Sequence, residues 1–335
     1  MPVSVIIGGQ FGSEGKGKVA LIWAKEKQAD FVMRCGGPNS GHVVYDDQGR
    51  RFVFRQLPTA ALLPNCKLII AAGGYIDLAV LFKEIELSNL SPDRLYISPN
   101  AVVIQDKHKT QEEPLTKAIS STGSGVGAAA AARIWREPGI LAKDYPELEP
   151  YLCQDLPKML RVALAAKKRI LIEGTQGFGL SPLHSGYYPK VTSRDTTAAA
   201  FVSEAGLSPF DVDEIVLVLR RFPIRVAGQQ AGELPLETSW EELTKLGQHQ
   251  QKISEMTSVT QKMRRVADFD PDIVLRAIDC NQPTAIVLNH VDYVQAGIAA
   301  DLNLQQQVIH DIENQINRKI DYIGLSPTIL QKVKT

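Results

Sequence analysis

Residues 8–18 run Gly-Gly-Gln-Phe-Gly-Ser-Glu-Gly-Lys-Gly-Lys, directly after the apolar stretch 3–7. A glycine-crowded turn between a short buried strand and a helix presents backbone N–H groups to an anion. Lys16 and Lys18 add charges that can follow a phosphate through transfer, so Gly12, Glu14, Gly15, Lys16, Gly17 and Lys18 are the candidate phosphate-binding residues. A Walker A loop carries Ser or Thr after its lysine to hold magnesium. Here Gly17 follows Lys16, which disfavours a plain P-loop nucleotidase and leaves a structural glycine turn open.

Six further clusters carry chemistry. In 35–42, Asn39 and His42 flank Gly41, where backbone can approach a ligand or metal closely. A histidine there can stabilise or protonate a transferring oxygen near neutral pH. Residues 120–127, Ser-Ser-Thr-Gly-Ser-Gly-Val-Gly, form a hydroxyl-and-glycine nest suited to a phosphate monoester, or else a flexible linker. In 173–177, Glu-Gly-Thr-Gln-Gly, the amide of Gln176 can read a base edge from a strand end. Residues 188–193 offer hydroxyls for a second phosphate contact, and 257–265 supply a cationic loop able to grip a carboxylate. Asn289-His-Val-Asp292 follows an apolar run and is reminiscent of the base-reading N/T-K-x-D motif, in which Asp pairs with guanine N1–H and the 2-amino group.

These groups need a scaffold that gathers them. Strand-like runs occur at 3–7, 67–72, 94–97, 169–173, 214–219 and 285–289, and helical patterns begin near Lys16, Ile76, Gln154, Thr197, Asp270 and Asn303. Such alternation predicts an α/β fold, a mostly parallel central sheet with helices on both faces and ligands at the carboxyl ends of the strands. Residues 228–263 are glutamine-rich and poor in strand signal, so they read as a mobile insertion near the site.

With 335 residues the chain can bury a large core, and its 37 basic and 37 acidic side chains balance. That balance provides no global field to recruit nucleic acid or an anionic membrane. Apolar runs fall short of the roughly 20 residues that span a bilayer. Cys35, Cys66, Cys153 and Cys280 form no CxxC pair and read as reduced structural thiols. A cytoplasmic location is expected.

In their order along the chain, Gly-Gly-Gln-Phe-Gly-Ser-Glu-Gly-Lys-Gly-Lys, Asn-Ser-Gly-His, Ser-Thr-Gly-Ser-Gly-Val-Gly, Glu-Gly-Thr-Gln-Gly and Tyr-Pro-Lys-Val-Thr-Ser resemble the adenylosuccinate synthetase family. The resemblance runs from Met1 to about Pro327 and implies one P-loop-NTPase-like domain over 1–335, with mobile loops at about 36–56, 119–130 and 228–265. It implies a C–N ligase that phosphorylates the 6-oxo group of a purine monophosphate with a nucleoside triphosphate and Mg2+, after which the amine of L-aspartate displaces the phosphate. Carried over, Lys16 and His42 would stabilise the transferring phosphoryl group, and Ser13 and the Gly41 carbonyl would meet the metal. Ser13, Asn39, Ser121, Thr122, Gln176, Thr192 and Val226 would hold the monophosphate, and Arg136 would reach the neighbouring site in a homodimer. Thr260, Lys262 and Arg264 would bind aspartate, and Asp292 and Ser326 would take the donor base.

The departures bear on substrate. The family has Asp where this chain has Ser13, and that Asp is the general base at purine N1. Serine does not ionise near neutral pH, but it is shorter and leaves room beside C2 for a 2-amino group. Ser here is similar to the phage-type 2-aminoadenylosuccinate synthetases, which act on dGMP. Lys262 stands where the family places an arginine near the ribose 2′-hydroxyl, which fits a deoxyribose. His290 replaces the lysine of the base-reading motif, and Gly-Leu-Ser-Pro replaces Ser-Thr-Gly-Pro, which favours ATP or dATP over GTP as donor. Two rivals stand beside this reading: an ordinary IMP- and GTP-using synthetase with its base relocated to Glu14, and a non-catalytic nucleotide-binding protein.

Overall fold

The computed structural model describes residues 2–257 and 262–333. A nine-stranded sheet runs in the order Leu330–Lys332, Tyr322–Gly324, Ala285–Asn289, Val212–Arg220, Val3–Gly8, Ile170–Glu173, Phe31–Arg34, Lys67–Ile70 and Leu95–Ile97. Every neighbouring pair is parallel except the last hairpin, Tyr322–Gly324 with Leu330–Lys332. All six expected strands are present, and the six expected helices start within two residues of their predicted positions.

Alternation along the strands builds two cores. Val3, Val5 and Ile7 face one side with Leu160, Phe201, Ile273 and Ile312 from four helices. Ile6 and Leu171 face the other, against Val19, Trp23 and Leu81. Strands buried on both faces read as continuous apolar runs, as they do here. Val3–Gly8 sits between strands drawn from later in the chain, so its outgoing loop opens at the carboxyl edge where connections diverge.

Phe31–Arg34 escaped the sequence reading because it is only four residues long and ends in a charge. The helix Asp106–Ala118 also escaped: it contains Pro114, and only His108 and Glu112 along it are buried. Residues 228–263, expected to be poor in strands, do carry regular elements. They contribute the strand Glu237–Thr238 to a three-stranded antiparallel sheet and form the helix Trp240–Leu246, capped by Ser239. Trp240 and Leu243 close a separate core with Phe222, Ile224 and Val266. Two apolar anchors suffice on so short a helix, and they leave little periodicity to read. Cys35 and Cys66 are buried, Cys280 is exposed, and all four cysteines are unpaired. Among the described residues no helix is long and apolar enough to cross a membrane.

Candidate active site

A cavity of about 800 Å³ opens at the carboxyl edge of the sheet. Gly12, Ser13, Gly15, Lys16, Gly17 and Lys18 line it from the glycine loop, Asn39, Gly41 and His42 from the second cluster, and Ser121, Thr122, Gln176 and Val226 from the middle of the chain. Lys262, Arg264, Asp292 and Ser326 complete it. Clusters spread over more than 300 positions of sequence therefore converge on one space.

The glycine loop holds an anion of its own. Glu14 is fully buried, and its Oε1 accepts the N–H groups of Gln10 at 3.1 Å and Gly12 at 2.8 Å, while Lys16 Nζ donates to Oε2 at 2.6 Å. A Cβ on Gly177 would lie 2.3 Å from that carboxylate, so glycine is required there. Glu14 does not line the cavity, and this geometry gives no support to a proton acceptor relocated to it. Ser13 has φ +59°, in the left-handed region, and its carbonyl accepts from Arg220 Nη1 at 3.0 Å.

The nest at 120–127 departs from expectation in the same way. Glu112 takes the N–H groups of Gly125 at 2.8 Å, Gly127, and Ala128 at 3.2 Å. A buried carboxylate thus fills the helix start, where partial positive charge gathers. The hydroxyl residues that open the nest, Ser120, Ser121 and Thr122, do reach the cavity.

His42 lines the same cavity as Lys16, packs against Gly17 and is buried. Its Nδ1 lies 2.5 Å from Glu173 Oε1, and Glu173 also accepts from Arg34 Nη1 at 3.2 Å and from the N–H and hydroxyl of Thr59, each at 2.8 Å. Burial works to raise the Glu173 carboxyl, but its His42 hydrogen bond and the charge of Arg34 outweigh this and keep it ionised. Burial, with Arg34 close by, pushes the His42 imidazole down to about 4. At neutral pH the pair is therefore a carboxylate and a neutral imidazole that donates Nδ1–H.

Arg220, at the end of its strand, was missed from sequence. Its guanidinium is fully buried, pairs with Glu255 at 2.5 Å and stacks on Tyr293 at 5.8 Å. Glu255 also accepts from Tyr293 Oη at 3.1 Å. Burial raises that carboxyl and the neighbouring charges of Arg220 and His290 more than reverse this, holding it at about 2. The available signal was a charge closing an apolar strand at the ligand edge. Tyr45, Arg51 and Lys117 also line the cavity and were not singled out.

Two further expected residues stand apart, and a third is not described. Thr192 donates its N–H to Leu180 O at 2.9 Å but does not line the cavity. Arg136 is exposed just beyond the helix Val126–Ile134, outside its own cavity. Thr260 lies outside the described residues. Arg264 does line the cavity, and its N–H donates to Glu255 O at 2.8 Å.

The family model for adenylosuccinate synthetase matches residues 5–149 and 141–300. The chain belongs to the adenylosuccinate synthetase family. It is 36% identical over 354 residues to the adenylosuccinate synthetase of Methanococcus aeolicus, covering 99% of both chains. It is 40% identical over 298 residues to that of Methanocaldococcus jannaschii, covering 86% of this chain and 82% of the relative. Among solved structures, the succinoaminodeoxyadenylate synthetase of cyanophage S-2L, bound to dGMP and to dATP as energy donor, superposes with a TM-score of 0.84 at 28% identity, covering 100% of this chain and 96% of that one. The fully ligated adenylosuccinate synthetase of Plasmodium falciparum gives 0.85 at 21% identity with full coverage of both chains, which shows the shared fold. The protein is thus a nucleotide-binding C–N ligase of purine biosynthesis that uses a nucleoside triphosphate.

Proposed function

We propose that this ligase joins L-aspartate to C6 of dGMP, using ATP or dATP, and releases 2-amino-2′-deoxy-N6-succinyl-AMP, nucleoside diphosphate and phosphate. The observation that carries the reading is Ser13, which lines the cavity in the middle of the glycine loop where the family supplies a carboxylate. Its short, uncharged side chain leaves room for a 2-amino group. The likeness to the cyanophage enzyme, whose structure holds dGMP and dATP, supports it.

In this reading the guanine O6 attacks the γ-phosphorus, N1 loses its proton, and the aspartate amine then displaces the 6-phosphate. Lys16 stabilises charge on the transferring group, as positioning and electrostatics dominate such transfers, and His42 donates to that group once its Nε2 takes up a proton beside the Glu173 carboxylate. Gln176, Asn39, Thr122 and Val226 hold the purine monophosphate, and Lys262 and Arg264 the aspartate carboxylates. The hydroxyl of Ser13 and the carbonyl of Gly41 are hard oxygen donors from residues that both line the cavity, the ligand chemistry that suits Mg2+ sharing its shell with phosphates. When bound, the metal would neutralise charge on the donor phosphates. A homodimer, with Arg136 completing the neighbouring site, and a cytoplasmic location belong to the same reading.

A second reading has support of its own: the archaeal relatives named above are called adenylosuccinate synthetase, which favours IMP as substrate and GTP as donor. Phosphate release from IMP, GMP and dGMP, each with ATP, dATP and GTP in the presence of aspartate and Mg2+, separates the two. Turnover of dGMP well above IMP is expected. Turnover of IMP with dGMP untouched would overturn the proposal.

A further inference from the structure

We propose that Lys18, although it closes the glycine-loop signature, is a positioning residue for the turn that meets the donor base and not a phosphate ligand. The inference rests on reading the Asp292–Ser326 end of the cavity as the donor-base subsite.

The two lysines of the loop point to different places. Lys16 Nζ stays inside the loop on Glu14. Lys18 Nζ leaves it and donates to Ser326 O at 3.0 Å and, more weakly, to Ile329 O at 3.4 Å. Those carbonyls belong to the turn between the strands Tyr322–Gly324 and Leu330–Lys332. The turn has few bonds of its own: Ser326 Oγ accepts from Thr328 N at 3.3 Å and Ile329 N at 3.1 Å, and Leu325 N meets Ile329 O at 3.3 Å. An ammonium offers three donors and no acceptor, so it can gather two carbonyls that would otherwise repel.

The packing beneath the turn fixes the same geometry. A Cβ on Gly324 would lie 1.9 Å from Asn289 Oδ1 and 2.5 Å from Lys18 Nζ, so the three segments touch with no space to spare. Asn289 in turn donates Nδ2 to Glu14 O at 2.8 Å, which ties the base-reading strand to the glycine loop. Asp292 lines the cavity beside Ser326 and Pro327, and its charge acts on Lys18. Burial nevertheless brings the Lys18 ammonium down to about 8. Lys18 thus sets the edge of the turn against Asp292, and it occupies one of the two acceptor positions of the Ser326 carbonyl.

Direct binding of two kinds of probe tests the assignment. Inorganic tripolyphosphate carries the phosphates without a base; ATP, dATP and GTP carry both. With Mg2+ and the full-length chain, Lys18→Met is expected to weaken binding of the triphosphate that the wild type prefers by about tenfold, the scale of a hydrogen bond to a charged group. Tripolyphosphate should stay within about twofold, and Lys18→Arg should recover part of the loss. Lys18→Gln, which removes the charge but keeps a polar side chain, should give the same pattern and serves if Lys18→Met does not fold. Equal losses on both probes, or no loss on either, would overturn the assignment alone. A wild type that binds none of the three triphosphates would overturn the donor-site reading and the assignment with it.

Discussion

His42 Nδ1 and Glu173 Oε1 lie 2.5 Å apart, and both side chains are buried. The ionised carboxylate fixes the tautomer, with the proton on Nδ1 and Nε2 left to face a ligand. Glu173 therefore acts through His42, and the sequence reading had assigned it no role of its own.

Glu173→Gln should lower kcat by about a hundredfold, within the range of a misoriented proton-handling group, while KM for the purine monophosphate changes little. Steady-state kinetics on the preferred substrate checks the split. The variant also leaves Arg34 without its carboxylate, so a loss on the order of 3 kcal/mol in urea unfolding is expected. A fall in KM-type binding equal to the fall in kcat would point to simple disorder of the site.

The same pair makes stability depend on pH. The folded-state value of His42, about 4, lies below its ordinary 6.5, so between those values the unfolded chain binds the extra proton. Stability from this group is then fully present above about pH 6.5 and is lost as the pH falls toward 4. Glu173, also depressed, adds a loss in the same direction below its ordinary carboxylate range. Urea denaturation at pH 7 and pH 5 should show the wild type losing on the order of 1–2 kcal/mol more than His42→Gln over that interval.

What was legible in the sequence, and what was not, follows from how each signal is encoded. Strands buried on both faces announce themselves as apolar runs, so six of the nine could be read directly, while the short Phe31–Arg34, Tyr322–Gly324 and Leu330–Lys332 could not. Motifs at the carboxyl edge were equally clear, since glycine and hydroxyl clusters have local causes. The glycine N–H groups of the first loop and of 120–127 seemed reserved for phosphate, but carboxylates of the chain itself, Glu14 and Glu112, take part of them, and only the fold brings Glu112 to its nest. Arg220 and Glu255 meet from 35 positions apart. No local pattern marks such a pair, because only the fold brings its halves together.

Ser13→Asp tests substrate choice within the intact loop. Asp tolerates the left-handed backbone at φ +59° at least as well as Ser, so the loop should keep its shape. Restoring the carboxylate supplies a base at N1 and fills the space beside C2. The ratio of kcat/KM for IMP over dGMP should rise by about tenfold or more, about 1.4 kcal/mol of transition-state preference. A parallel rise on both substrates would mean that position 13 governs proton removal without selecting the base.

Arg136 offers the last test, because it does not line the cavity of its own chain. It follows Ile134, 73% exposed, and Trp135, 77% exposed, an apolar surface beside a cation outside the cavity. Under the homodimer reading, Arg136→Ala should lose most activity while leaving monomer stability unchanged. His42→Gln should also lose activity, through the subunit that carries it. Mixing the two variants after reversible dissociation pairs an intact Arg136 from one subunit with an intact His42 from the other. Random reassortment then restores about a quarter of the wild-type sites, half of the dimers having one good site each. Recovery near that level identifies a shared site, and no recovery would show that each subunit works with its own residues alone.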